Sequence, residues 1–128
     1  MSKAKYFIPA ILYYGFIFFL SAQSNIRIGI DFLLFDKILH TALYLGFGLC
    51  LSYGLTKIEP EGTSRQHVLR LLGLGIVLGG LDEIHQFFVP GRNADLWDAV
   101  VDVLGVWLGW IIFRRLKQTS LGKRFLRF

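Results

Sequence analysis

Four apolar stretches follow one another along this chain and take up most of its length. A helix needs about 20 residues to cross a hydrocarbon core about 30 Å thick, and each stretch reaches or approaches that length. Polar or turn-forming segments separate the stretches and leave no room for a second domain. We therefore expect one domain, residues 1–128, folded as an all-α integral membrane four-helix bundle. Its helices are expected at about 6–22, 36–55, 68–89 and 97–113, followed by a basic tail at 114–128.

Few charges accompany these stretches: 54% of the residues are apolar and 18% are charged, against about 25% charged in an average soluble domain. One core of this size cannot bury so much apolar side chain, which excludes an ordinary soluble globule and a disordered chain. The net charge of +5 does not indicate a nucleic-acid reader, because the basic residues lie at the ends and in one loop. The single cysteine, Cys50, excludes an internal disulfide.

Two connectors carry turn signals. Residues 56–66 form a hydrophilic segment with Pro60 and Gly62, and residues 90–93 favour a compact turn. The first stretch follows two lysines, as the apolar part of a signal peptide does. Cleavage after Ala22 would place the bulky Leu20 where a small residue is preferred, so we expect this stretch to be a retained helix.

The distribution of lysine and arginine predicts the orientation of the four spans. The N-terminus, the 56–67 loop and the C-terminus would share one side, which holds eleven basic residues against three on the other. The eleven are Lys3, Lys5, Lys57, Arg65, Arg70, Arg114, Arg115, Lys117, Lys123, Arg124 and Arg127, and the three are Arg27, Lys37 and Arg92. Both termini are therefore expected in the cytoplasm. The basic tail, with Phe125 and Phe128, is expected on the anionic inner leaflet.

With this orientation, polar residues of three spans meet near the outer leaflet. Helix 2 begins with Asp36, His40 and Tyr44 at a spacing of four residues, so they share one face. An ionisable group inside a span costs at least ~2.5 kcal/mol and normally faces the bundle interior or a wet cavity. Several such groups at one depth predict a ligand-binding site. Its candidate residues are Asp36, Lys37, His40, Tyr44, Asp82, Glu83, Gln86, Arg92, Asp98 and Asp102.

Simpler explanations stay open for several of these residues. Asp36, Lys37 and Asp98 lie near the interface, where helix capping and snorkelling explain a polar residue equally well. His40 could be a structural histidine, and Tyr44 could serve only as a hydrogen-bond partner between helices. The deeper residues, by contrast, favour a functional role: Glu83, Gln86 and Asp102.

Pairs of glycines indicate where the helices approach one another. Gly75 and Gly79 are four residues apart on helix 3, as are Gly105 and Gly109 on helix 4. Small residues at this spacing allow membrane helices to pack closely. His85 lies on the other side of helix 3 from Glu83 and Gln86, and we expect it to reach the interface.

Several short polar motifs of this sequence resemble those of the VanZ-like family of small bacterial membrane proteins, over about residues 15–113. The resemblance rests on their order and spacing, with a serine-containing segment at the end of the first helix. The matching residues are Ser21-Ala22-Gln23-Ser24, Asp36-Lys37-Ile38-Leu39-His40, Tyr44, Asp82-Glu83-Ile84-His85-Gln86, Pro90-Gly91-Arg92, Asp98 and Gly105. Asp102 departs from the pattern, which has asparagine there, and would make the site one charge more negative.

The resemblance implies a multi-pass protein of the bacterial cytoplasmic membrane. It also implies a phenotype rather than a reaction, since the family is associated with resistance to the glycopeptide teicoplanin and with lowered susceptibility to lipoglycopeptides. A role in antibiotic resistance is therefore an expectation for this chain from the resemblance alone.

Three functions fit the predicted site. The first is non-catalytic binding, in the outer leaflet, of a lipid-linked cell-envelope headgroup or a lipophilic glycopeptide. In that case Lys37 and Arg92 would engage a phosphate, and sugar or amide groups would contact Glu83, Gln86, Tyr44 and His40. Its partners would be membrane lipids, lipid-linked cell-wall precursors or lipoglycopeptide antibiotics, and no nucleic acid.

The second function is an enzyme that modifies such a lipid by acid–base chemistry. Glu83 and His40 are the candidate catalytic residues, with Lys37 beside Arg92 as a clamp for a developing negative charge. No nucleophile motif accompanies them. The chain also lacks the local spacing of known metal-binding motifs, so we expect no metal and no cofactor.

The third function is a small proton-coupled carrier. All the acids lie in one leaflet, and the inner half of the bundle offers only Cys50, Ser52 and Tyr53 as polar groups. A monomer would therefore lack a continuous polar path, which a homo-oligomer could supply.

Overall fold

A computed structural model describes residues 3–23 and 32–125. Ser24, Arg27, Arg127 and Phe128 lie outside the described residues, as does the side chain of Phe125. A short 3-10 helix at Lys3–Phe7 leads into α1 (Ile8–Ser21), and the next long helices are α2 (Phe32–Ile58), α3 (Ser64–Phe87) and α4 (Leu96–Gln118). A short α5 follows at Ser120–Phe125. The described part of the chain contains no strand, and the expected all-α membrane bundle is confirmed.

Among the described residues, three segments are long and apolar enough to cross a membrane: Lys3–Ser21, Leu34–Ile58 and Leu96–Gln118. Helix α3 is not among them, although the sequence predicts a span at 68–89. It carries Arg70, Asp82 and Glu83, which lower its mean hydropathy. Its outward face is nevertheless apolar, since Ile76 is 62% exposed whereas Asp82 is fully buried.

The other helices, like α3, expose large apolar side chains and bury polar ones. Large apolar side chains such as Leu12, Phe19 and Leu34 are exposed. Many of the buried side chains are polar or charged, among them Asp98 and Asp102. A protein in water buries its apolar groups and exposes its charges, so this distribution fits an apolar surrounding.

One connector and the C-terminal tail are shorter than expected. The predicted 56–66 connector is reduced to residues 59–63, because α2 continues to Ile58 and α3 already begins at Ser64. A capping box starts α3: the Gln66 amide donates to the Thr63 hydroxyl at 3.2 Å, and the Thr63 amide donates to the Gln66 side chain at 3.0 Å. The first residues of the expected 114–128 tail belong to α4, which continues to Gln118.

The loop between α3 and α4 is the compact turn that its sequence predicts. The Arg92 amide donates to the Val89 carbonyl at 3.1 Å. Gly91 has a φ of 81°, which glycine adopts without strain, and Pro90 precedes it as in a type II turn. This turn brings the end of α3 back to the start of α4.

Helices α2 and α4 form the most extensive contact in the described structure. Gly48 on α2 faces the Val106 backbone, and a Cβ at Gly105 would lie 2.9 Å from the Cβ of Tyr44. Gly79 lies against Asp102, where an added Cβ would be 3.2 Å from the Asp102 Cβ. The glycine pairs therefore lie at helix contacts, as their spacing predicts.

Candidate functional site

One end of the bundle collects most of its buried polar side chains. The end of α1, the start of α2, the end of α3 and the start of α4 meet there with the α3–α4 loop. We call this group the acidic site: Ser21, Asp36, Lys37, His40, Tyr44, Asp82, Glu83, Gln86, Arg92, Asp95, Asp98 and Asp102. It contains all ten residues expected from the sequence, together with Ser21 and Asp95.

Lys37 joins α2 to the start of α4. Its ammonium lies 2.7 Å from a carboxylate oxygen of Asp95 and 2.7 Å from one of Asp98. The Asp98 side chain is only 3% exposed, whereas that of Asp95 is 36% exposed. The hydrogen bond from Lys37, with a second from the Trp97 amide, holds the pKa of Asp95 below its usual value. The positive charge of Lys37 is thus already paired with two carboxylates.

His40 and Asp102 make the most deeply buried polar contact between α2 and α4. The His40 Nδ1–H donates to Asp102 Oδ1 at 2.9 Å, with side-chain exposures of 7% and 0%. The partner of His40 is therefore a carboxylate rather than the backbone carbonyl of a purely structural histidine.

Asp82 and Glu83 accept hydrogen bonds from α1, from their own helix α3 and from the loop before α4. Asp82 Oδ2 accepts from the Ser21 hydroxyl at 2.9 Å and from the Gln86 amide at 3.1 Å. Glu83 Oε1 lies 3.5 Å from the same Gln86 amide, and its Oε2 accepts from the backbone N–H of Asp95 at 2.8 Å. These contacts fix both carboxylates in the bundle interior.

A small cavity of about 30 Å³ lies inside the acidic site. Its polar lining includes Asp36, His40, Tyr44, Asp82 and Arg92. Arg92 reaches down from the turn, with Nη1 3.9 Å from Asp36 Oδ1. The cavity has about the volume that one water molecule occupies in the liquid, so it is too small for a headgroup.

Several buried polar atoms of this site have no hydrogen-bond partner within residues 3–23 and 32–125. They include Asp82 Oδ1, Asp102 Oδ2 and the Tyr44 hydroxyl, and all three residues are fully buried. A buried polar atom without a partner costs about 1–3 kcal/mol, and more when it carries charge. These atoms therefore mark a place where a further group would be stabilising.

The geometry also brings together side chains of the types that bind metal ions. One ligand atom from each of four buried residues lies within 4.8 Å of the others: His40, Asp82, Glu83 and Asp102. A second such group consists of Asp36, His40 and Asp98. The ligands come from three helices, so the local spacing searched in the sequence could not reveal them.

A larger groove of about 460 Å³ opens between α3 and α4, beside the acidic site. Its walls are apolar and include Ile84, Phe87 and Leu96. Glu83 and Asp95 are the acidic residues along it. An apolar chain could lie in this groove with its polar end next to these carboxylates.

Some site residues have roles that differ from expectation. Asp95, rather than Asp98, caps α4, because its side chain accepts from the Trp97 amide at 2.9 Å. Asp95 directly precedes the apolar run of α4, a position typical of an N-cap, and that signal could have identified it. His85 does not extend freely to the interface: its ring stacks on Phe18 at 3.8 Å between centroids.

The comparisons with known proteins agree with the resemblance. The family model VanZ/LLP1 matches residues 5–118, which extends beyond the 15–113 recognised from the motif blocks. No curated protein and no solved structure gives a match. The matched range includes every residue of the acidic site and all four long helices, and this chain is a membrane protein that belongs to the VanZ/LLP1 family.

Proposed function

We propose that this protein spans the bacterial cytoplasmic membrane four times, with both termini in the cytoplasm. We further propose that it binds the headgroup of a lipid-linked cell-envelope molecule or a lipophilic glycopeptide at the acidic site. The observation that carries the proposal is the groove between α3 and α4, which joins apolar walls to Glu83 and Asp95. A ligand with an apolar chain and a polar headgroup matches this combination.

The charges of the site favour one kind of headgroup. Carboxylates accept hydrogen bonds, and Lys37 is already paired with Asp95 and Asp98. A phosphate that lies in the groove would therefore meet the carboxylates of Glu83 and Asp95. Hydroxyl, amide or ammonium groups, which donate hydrogen bonds, suit Glu83 and Asp95 better, and sugars and peptides of the cell envelope carry such groups.

The α3 span is supported by its apolar outward face, which includes Ile76, Leu81 and Ile84. The orientation is supported by the excess of basic residues at the end opposite the acidic site, where Arg114 stacks on Trp110 at 4.9 Å. A C-terminal reporter that is active only in the cytoplasm tests this orientation. Activity of a reporter restricted to the outer side would contradict it.

Mass spectrometry of co-purified lipid tests the binding proposal. The protein is incubated with total bacterial lipid, purified in mild detergent and compared with Glu83→Gln and Gly80→Leu. Gly80 lines the groove and has no heavy atom within 4 Å of an added Cβ, so a side chain can start there and leucine should fill part of the groove. The matched control is Glu59→Gln, at the opposite end of the bundle.

We expect the wild-type protein and Glu59→Gln to retain one headgroup class, and both site variants to lose most of it. Equal retention in all four proteins would contradict the proposal. Conversion of the lipid to a new species by the wild-type protein would instead favour an enzyme. A lowered susceptibility to teicoplanin or a lipoglycopeptide in expressing cells, abolished by Gly80→Leu, would connect binding to resistance.

A further inference from the structure

We propose that the acidic site holds one divalent metal ion, with ligands from four residues on three helices: His40, Asp82, Glu83 and Asp102. Their candidate ligand atoms lie within 4.8 Å of one another. Two ligands on opposite sides of an ion, each at 2.0–2.4 Å, are separated by about 4–4.8 Å. The side chains are thus close enough to share one ion.

The free oxygens of the site are the second observation. Asp82 Oδ2 accepts from both Ser21 and Gln86, whereas Oδ1 has no partner in the described part of the chain. Asp102 Oδ1 accepts from His40, and its Oδ2 has no partner among the residues that the structure describes. In both fully buried residues one oxygen is held by the protein and the other is left for a ligand. Metal-binding carboxylates are commonly oriented by such outer hydrogen bonds.

The balance of charge leads to the same conclusion. Carboxylates outnumber cations in the described part of this site: the acids are Asp36, Asp82, Glu83, Asp95, Asp98 and Asp102, and the bases are Lys37, His40 and Arg92. Lys37 is paired with Asp95 and Asp98, and Arg92 lies nearest Asp36. Asp82 and Glu83 therefore lack a paired base among the described residues. Buried carboxylates need a compensating charge, which a divalent ion supplies.

The ligand set also indicates which ions fit. Imidazole suits zinc and other first-row transition metals, and carboxylates suit manganese, whereas calcium and magnesium prefer sites made of oxygen alone. One imidazole with three carboxylates therefore fits Zn²⁺ or Mn²⁺. The cavity of about 30 Å³ between His40, Tyr44 and Asp82 leaves room for one further small ligand such as water.

Metal titration tests this inference, which does not depend on the identity of a headgroup. The protein is purified in detergent without chelator for elemental analysis. It is then stripped with a chelator and titrated with Mn²⁺, followed by electron paramagnetic resonance, with Zn²⁺ as competitor. We expect one Mn²⁺ per chain, displaced by Zn²⁺. Asp82→Asn and Asp102→Asn should each weaken binding at least about tenfold, and Glu59→Gln should leave it unchanged.

Several outcomes would overturn the inference. One is the absence of saturable Mn²⁺ and Zn²⁺ binding in the wild-type protein. An infrared band of a protonated carboxyl that disappears in Asp82→Asn would then show that a proton, rather than a metal ion, neutralises the buried carboxylate. If metal binding is lost in Asp36→Asn but kept in Asp82→Asn, the ion binds to the second group of Asp36, His40 and Asp98 and not to the proposed ligands. If the asparagine variants do not fold, His40→Gln provides the same test. Equal lipid retention in the wild-type protein and Gly80→Leu, with metal binding intact, would contradict only the proposed function.

Discussion

His40 on α2 and Asp102 on α4 form a hydrogen bond of 2.9 Å between two buried side chains. The pair lies close to the contact of Gly105 with Thr41 and Tyr44, where α2 and α4 approach each other, and Gly79 of α3 packs against Asp102. The resemblance to the family pattern implies asparagine at this position, whose amide oxygen could accept the same bond. We therefore expect the contact between α2 and α4 to survive without the charge of Asp102.

Asp102→Asn should consequently preserve the fold. We expect its free energy of unfolding to lie within about 1 kcal/mol of the wild-type value when a chelator is present. Asp102→Ala removes the acceptor and leaves His40 buried without its partner, which costs about 1–3 kcal/mol. Thermal unfolding in detergent, followed by tryptophan fluorescence, compares the variants. Equal damage by asparagine and alanine would show that the charge itself holds the helices together.

Lys37→Met should destabilise the bundle by about 2 kcal/mol, because it leaves the buried Asp98 carboxylate without its cation. Removing the more exposed partner with Asp95→Asn should have a much smaller effect. A double-mutant cycle with Lys37→Met and Asp98→Asn measures the coupling between the two charges. A coupling free energy near zero would mean that water, rather than Lys37, compensates Asp98.

The stability of the protein should also depend on pH through Asp95. Its pKa in the folded protein lies below the ordinary value of 3.8, mainly because Lys37 donates to it. Such a group stabilises the fold above its unfolded pKa, and this contribution is lost as the pH falls through the folded pKa. Thermal midpoints between about pH 6 and about pH 3 should therefore fall more steeply in the wild-type protein than in Asp95→Asn. Parallel curves would exclude this contribution.

Gly105→Ala should separate α2 from α4. An added Cβ would lie 2.5 Å from the Thr41 carbonyl oxygen and 2.9 Å from the Tyr44 Cβ, so the backbones must shift. We expect a loss of about 1–3 kcal/mol. The control is Gly73→Ala on α3, where an added Cβ has no described neighbouring atom within 4 Å. Alanine there should stabilise the helix by up to about 1 kcal/mol. A neutral Gly105→Ala would contradict the close contact.

Much of this architecture could be predicted from the sequence because it depends on local patterns. The spacing of Asp36, His40 and Tyr44 predicts a shared helix face. The turn at Pro90-Gly91 follows from backbone preferences alone. The spacing of Thr63 and Gln66 is that of a capping box and could have predicted the start of α3. The polar residues around them instead indicated a longer connector.

The remaining features depend on how distant segments align. The bond between Lys37 and Asp95 requires the register of α2 against α4, and the bond from the Asp95 backbone to Glu83 requires the path of the loop. The metal-binding arrangement requires three helices at once. No single window of sequence contains such contacts, so only the folded chain reveals them.

The glycine contact between α2 and α4 has a mechanical consequence. At Gly48 and Gly105 the backbones of α2 and α4 are in direct contact, without side chains between them. We therefore expect these two helices to move as one rigid unit. Helix α1 touches the rest through fewer contacts and reaches the site with Ser21. We therefore expect that a movement that admits a ligand displaces α1 or α3 relative to α2 and α4, while His40 and Asp102 keep their separation.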